Sequence, residues 1–193
     1  MPAIIASNRD YTDKASSGND SAVLVVGTQE PNSVFLNCQF LAPVGCEWGA
    51  KMPGNTGSRF TDCLFDCEDG ERTLDIVQGS DLGFTRCHFT YPDPIKTRFS
   101  LRKQCSIGIK GGFRGAFFDE CVMNDILLGD YSIYDHDSAC QPVSGIELHD
   151  CCSASGGPII IRALNADAVK LTGTTKAIVL QVPKPLWEIY YAV

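Results

Sequence analysis

The sequence predicts an all-β solenoid, a parallel β-helix of about seven short turns, and three observations predict it. One short motif recurs five times around a cysteine. An apolar run of strand length separates successive copies. A polar residue of the kind that makes turns stands before every motif cysteine.

The copies are Phe35-Leu36-Asn37-Cys38-Gln39-Phe40, Phe60-Thr61-Asp62-Cys63-Leu64-Phe65, Phe84-Thr85-Arg86-Cys87-His88-Phe89, Phe118-Asp119-Glu120-Cys121-Val122-Met123 and Leu148-His149-Asp150-Cys151-Cys152-Ser153. Their cysteines fall 25, 24, 34 and 30 residues apart, the period of a stacked repeat. Apolar positions at −3, 0 and +2 fit neither a helical stripe nor an unbroken alternation. They fit two short strands joined by one bend at −1. Asn37, Asp62 and Asp150 suit that bend, because short polar side chains tolerate the left-handed conformation. Arg86 and Glu120 suit it less well.

A third strand per turn is read from the intervening runs. They are Val23-Leu24-Val25-Val26, Cys46-Glu47-Trp48, Leu74-Asp75-Ile76-Val77, Cys105-Ser106-Ile107-Gly108-Ile109, Ile126-Leu127-Leu128, Ile159-Ile160-Ile161 and Ile178-Val179-Leu180-Gln181-Val182. Val169-Lys170-Leu171-Thr172-Gly173-Thr174 is a cysteine-free copy of the motif. Turns stacked at the strand spacing give a solenoid roughly 30 Å tall. An antiparallel sandwich also has many short strands, but would not put one residue type at the same corner five times. The division expected is an N-terminal arm over 1–20, the β-helix over 21–182, and a cap or docking tail over 183–193.

The apolar-x-(Asn/Asp)-Cys-x-Phe corner, over roughly residues 23 to 182, resembles the right-handed parallel β-helix repeats of the pectate-lyase-like superfamily, which includes phage tailspikes. The resemblance implies a single-stranded, right-handed coil. It implies little about chemistry, since the superfamily hosts lyases, hydrolases, adhesins and inert structural proteins.

Composition narrows the rest. A chain of 193 residues is one domain that buries roughly 70% of its unfolded surface. A net charge of −7 argues against a general nucleic-acid binder, and no apolar stretch reaches membrane-spanning length. No basic segment followed by an apolar run marks a signal peptide. Ten cysteines without an export signal imply a reducing compartment and free thiols. Cys38, Cys63, Cys87, Cys121 and Cys151 are therefore expected as a buried ladder, one above another. Cys63 with Cys67, the adjacent Cys151 and Cys152, and the neighbouring His88 and His149 lack the second converging pair of a structural zinc site. No metal or cofactor is expected.

Three departures from the rhythm hold the candidate binding residues. Lys96, Arg98, Arg102 and Lys103 form a basic stretch, read either as a solvated loop or as a docking patch for an acidic partner. Tyr131, Tyr134, Asp135 and Asp137 set rings beside carboxylates, as an ordinary exposed turn or a sugar-binding surface would; their spacing does not match an EF-hand. Leu186, Trp187, Ile189, Tyr190 and Tyr191 make a cap for the last turn or an anchor on a neighbouring subunit.

For catalysis, Glu47 and Asp75 are the outward acids expected on one face, with Ser106, Leu127 and Ile160 at comparable positions above. Polygalacturonase-like signatures (Asn-Thr-Asp, Asp-Asp, Gly-His-Gly, Arg-x-Lys) are absent, as are phosphate loops and nucleotide fingerprints. The expectation is a non-catalytic structural or binding protein. The expected setting is a phage virion, as a capsid decoration or cement protein or a short spike, assembled in the host cytoplasm. Its expected partners are capsid or tail proteins and further copies of itself, as in trimeric solenoids, without nucleic acid or membrane. The alternative is a carbohydrate-binding or polysaccharide-cleaving β-helix.

Overall fold

The computed structural model describes residues 2–13, 22–43, 46–67, 69–92, 105–110, 112–129 and 143–181. Its strands form three sheets, and every neighbouring pair is parallel. The first sheet stacks β1 (Ile5–Ser7), β4 (Val34–Leu36), β7 (Arg59–Thr61), β10 (Ser80–Thr85), β13 (Arg114–Asp119), β15 (Ser144–His149) and β17 (Val169–Thr172) in that order. The second stacks β2 (Asp10–Tyr11), β5 (Gln39–Leu41), β8 (Leu64–Asp66) and β11 (His88–Phe89), and isolated bridges extend it through Val122 to Cys152. The third stacks β3 (Ala22–Val25), β6 (Trp48–Pro53), β9 (Arg72–Val77), β12 (Cys105–Ile109), β14 (Asp125–Leu128), β16 (Ile159–Ala163) and β18 (Ala177–Gln181). The chain visits first, second and third sheet in turn and then returns to the first. One such passage is called a rung below.

Register puts like residues over like. Phe35, Phe60, Phe84, Phe118 and Leu148 are consecutive partners in the first sheet. Leu24, Ala50, Leu74, Ile107, Ile126, Ile161 and Val179 are consecutive partners in the third. The phenylalanine rings lie nearly flat on one another, with centroids 4.7 Å apart for Phe35–Phe60, 5.1 Å for Phe60–Phe84 and 5.0 Å for Phe84–Phe118. A second column, Tyr11, Phe40, Phe65 and Phe89, meets the first edge-on, as in Phe60–Phe65 at 60°. Each such pair adds about 0.5–1.5 kcal/mol beyond the area it buries.

The bend at −1 is left-handed in every copy, with φ of 49° at Asn37, 55° at Asp62, 49° at Arg86, 51° at Glu120 and 49° at Asp150. Arg86 and Glu120 adopt it despite their side chains, because the backbone is fixed from above: each bend N–H donates to a carbonyl of the next rung. The cysteine-free copy is laid down as β17 and turns at Gly173, with φ of 63°.

Residues expected in an N-terminal arm instead supply the first rung. β1 pairs with β4 and β2 with β5, and Asn8 makes the bend at φ 51°. Ala6-Ser7-Asn8-Arg9-Asp10-Tyr11 is a copy of the motif with Ala at −3, Arg in place of Cys and Tyr at +2. Ala6 is buried because the −3 side chain still turns inward.

Candidate functional site

The third sheet carries a shielded cluster of charge. Arg72 and Asp75 lie three residues apart on β9, at 2% and 0% exposure, and the guanidinium Nη1 donates to Asp75 Oδ1. Lys110 Nζ approaches the other carboxylate oxygen at 3.4 Å. Gly108 is the cross-strand partner of Asp75, and a Cβ there would sit 2.6 Å from Arg72 Cδ. The missing side chain is what lets the arginine stem lie across β12. Burial opposes the Arg72 charge most strongly, and Asp75, Cys105 and Glu71 together outweigh it, so the group stays firmly protonated.

A second pair stands one strand further along. Asp125 accepts from Arg162 Nη2 at 2.8 Å and from the Ser106 amide at 2.7 Å. Burial raises its pKa, and the Ser106 amide and Arg162 work against that rise. Thr73 donates to the Ser106 carbonyl at 2.6 Å, tying β9 to β12. Burial first, and the Asp125 carboxylate next, hold the Tyr91 hydroxyl above its ordinary value. Chemically this cluster fixes charges rather than offering them. A carboxylate gripped by two cations and closed to solvent does not present itself to a sugar hydroxyl.

The five motif cysteines are at most 2% exposed, and each Sγ donates to the carbonyl two residues earlier, at 3.3 to 3.5 Å. From Cys63 onward each also faces the carbonyl of the motif phenylalanine one rung earlier, such as Cys87 with Phe60 at 3.4 Å. Burial pushes the Cys38 thiol up, and lifts Cys67 and Cys105 to about 12. All nine described cysteines are free, and Cys152 alone among them is exposed.

Outside the core, the bend residues form their own column. Asn37 donates to Asn8 Oδ1 at 2.7 Å, Arg86 closes on Asp62, and at the far end Asp150 accepts from the Thr174 amide at 2.7 Å and hydroxyl at 2.9 Å. His149 sits between Thr172 and Asp150, with Nδ1 at 3.0 Å from Thr172 Oγ1 and Nε2 at 3.1 Å from Asp150 Oδ2.

Three expected patches lie outside the described residues: Lys96, Arg98, Arg102 and Lys103; Tyr131, Tyr134, Asp135 and Asp137; and Leu186, Trp187, Ile189, Tyr190 and Tyr191. The expected acidic face differs from its sequence reading. Asp75 is buried rather than outward to solvent, its strand partners are Lys51 and Gly108, and the Glu47 carbonyl accepts the Glu71 amide at 2.8 Å at the start of β9. Sequence reasoning missed Arg72, Asp125 and Arg162. Each stands beside an apolar run, the one signal that could have flagged it. Comparison of the chain with protein-family models, curated proteins and solved structures found no match.

Proposed function

We propose that the three sheets close into a right-handed parallel β-helix of about seven turns, and that this coil serves a phage particle as a rigid mount. Its role is that of a capsid decoration or cement protein, or a short spike. The order in which the chain visits its sheets supports the coil, and parallel crossovers favour the right-handed sense almost without exception.

The observation that carries the assembly reading is the last rung. Ile146, Leu148, Ile159 and Ile161 are at most 1% exposed, whereas their partners Val169, Leu171, Ala177 and Val179 on β17 and β18 are only partly buried against the core. On the same edge Ile178 and Leu180 are 46% and 45% exposed. An apolar end whose strand edges have no partner among the described residues favours attachment to another chain. The sequence beyond β18 supplies anchoring side chains in Leu186, Trp187, Ile189, Tyr190 and Tyr191.

Sedimentation tests the reading. The purified chain is expected to form an oligomer and to co-sediment with phage particles stripped of their decoration proteins. Deletion of 184–193 is expected to abolish both while circular dichroism stays unchanged. A monomer that leaves the particles untouched overturns the proposal.

A further inference from the structure

The end of the bend column has a chemistry that the scaffold role does not use. His149 closes β15 and stands directly across from Thr172 on β17. Asp150 next to it has a pKa lowered by the Thr174 amide and hydroxyl, so it is a carboxylate at neutral pH. It therefore accepts a hydrogen bond from His149 Nε2–H at 3.1 Å. That tautomer leaves Nδ1 with its lone pair toward Thr172 Oγ1 at 3.0 Å, where the hydroxyl also has the Leu148 carbonyl at 3.3 Å as a competing acceptor. A hydroxyl in reach of an imidazole that a carboxylate orients is the activated-nucleophile arrangement. Both flanking groups are open to solvent, His149 at 42% and Asp150 at 36%.

The column also supplies an electrophilic partner. Asn8, Asn37, Asp62, Arg86, Glu120 and Asp150 each donate their backbone N–H to a carbonyl of the following rung, at 2.8 to 3.4 Å. Gly173 is the next member, and among the described residues no rung follows it. Its N–H is adjacent in the chain to the Thr172 hydroxyl. A Cβ at 173 would meet Asp150 Oδ1 at 2.2 Å and His149 Cε1 at 3.1 Å, so only glycine lets the bend lie this close to the His149–Asp150 pair.

We infer that Thr172, His149 and Asp150 form an acyl-transfer site that hydrolyses esters of short carboxylic acids. Thr172 Oγ1 forms a bond to the ester carbonyl carbon while its proton passes to His149 Nδ1. The carbonyl electron pair moves onto oxygen, where the Gly173 N–H stabilises it. Collapse breaks the ester C–O bond, and the leaving alkoxide takes the proton from His149. Water then attacks the acyl-threonine, giving one proton to His149 as its oxygen bonds to the acyl carbon. The acid leaves and Thr172 Oγ1 recovers the proton. Ester and water become acid and alcohol. The site lies at the surface, with His149 and Asp150 open to solvent, which is why the substrate class is a short acyl group such as acetate.

The test is hydrolysis of p-nitrophenyl acetate by the full chain, with peptide mass spectrometry of the quenched protein. Turnover above an equal concentration of free imidazole is expected, with an acetyl group on the peptide bearing Thr172. Thr172→Val and His149→Gln are each expected to lower the rate about a hundredfold, the contribution of a positioned base. Thr172→Ser keeps the nucleophile and the strand, and is expected to retain both rate and adduct. A wild-type rate no greater than imidazole, an acetyl group on His149 alone, or full activity in folded Thr172→Val overturns the inference.

Discussion

The Arg86 guanidinium closes on the Asp62 carboxylate one rung away, with Nε at 2.7 Å from Oδ1 and Nη2 at 3.0 Å from Oδ2. The pair holds an arginine in a bend whose φ of 49° an L side chain ordinarily avoids. Two effects oppose each other at this position: the strain of the left-handed backbone and the grip of the ion pair. Glycine removes the strain along with the pair, so Arg86→Gly is expected to leave the thermal midpoint unchanged or raised. Valine removes the pair and worsens the strain, so Arg86→Val is expected to lower it. Calorimetry on both variants separates the two terms.

The same pair makes a pH prediction. Its hydrogen bond to Arg86 depresses the Asp62 pKa in the folded protein, so the folded state binds this proton more weakly than the unfolded chain does. The stabilisation is complete above the ordinary carboxylate range and fades as pH falls through the lower folded value. The stability difference between wild type and Asp62→Asn is therefore expected to persist at neutral pH and to vanish on acidification. Added salt is expected to narrow it, because both partners face solvent. Urea titrations at several pH values measure it.

Phe60 occupies the centre of the aromatic packing, flat against Phe35 and Phe84 and edge-on to Phe65. It has no exposure, and rungs on both sides keep the site from collapsing. Phe60→Ala is expected to cost about 3–5 kcal/mol in urea unfolding, and Phe60→Leu less than about 1.5 kcal/mol. Equal costs for the two would mean that ring stacking and filled volume matter less than the column implies.

Sequence legibility followed repetition. Phe35, Phe60, Phe84 and Phe118 were visible because one side chain recurs at one offset from a cysteine, and the register that stacks them comes from that offset. The first rung escaped because Ala6 and Arg9 replace the phenylalanine and the cysteine, leaving Asn8 and Tyr11 as its signal. The charged cluster escaped for a different reason. Gaps of 24 to 34 residues separate motif cysteines, so nothing local tells which residue of β9 meets which residue of β12. Arg72 and Asp75 could be recognised as one unit only once Gly108 was known to lie opposite Asp75.

That cluster should behave as buried ion pairs do. Removing one partner strands a charge away from water, so Arg72→Met is expected to cost about 3–5 kcal/mol. Removing both charges together leaves little to compensate, and Arg72→Met with Asp75→Leu is expected to recover most of that loss. A double-mutant cycle by urea denaturation yields the coupling. Additive single effects would show that Arg72 and Asp75 act independently despite their contact.

Thiol reactivity tests the interior from the other direction. Iodoacetamide reacts with the thiolate and needs access to it. Cys38, Cys63, Cys87, Cys121 and Cys151 fail on access, each being at most 2% exposed with its Sγ on a backbone carbonyl. Cys67 and Cys105 fail on charge as well, since burial lifts both to about 12 and leaves almost no thiolate at neutral pH. Cys152 is outward on the second sheet, across from Val122, and is open to solvent. Among the described cysteines, native labelling is therefore expected at Cys152 first and alone, with the others reacting together only when urea unfolds the chain. The cooperative release distinguishes a shared interior from separately buried thiols. Labelling of Cys87 or Cys121 at the native rate of Cys152 would mean that the column is open to solvent and that the rungs do not stack as described.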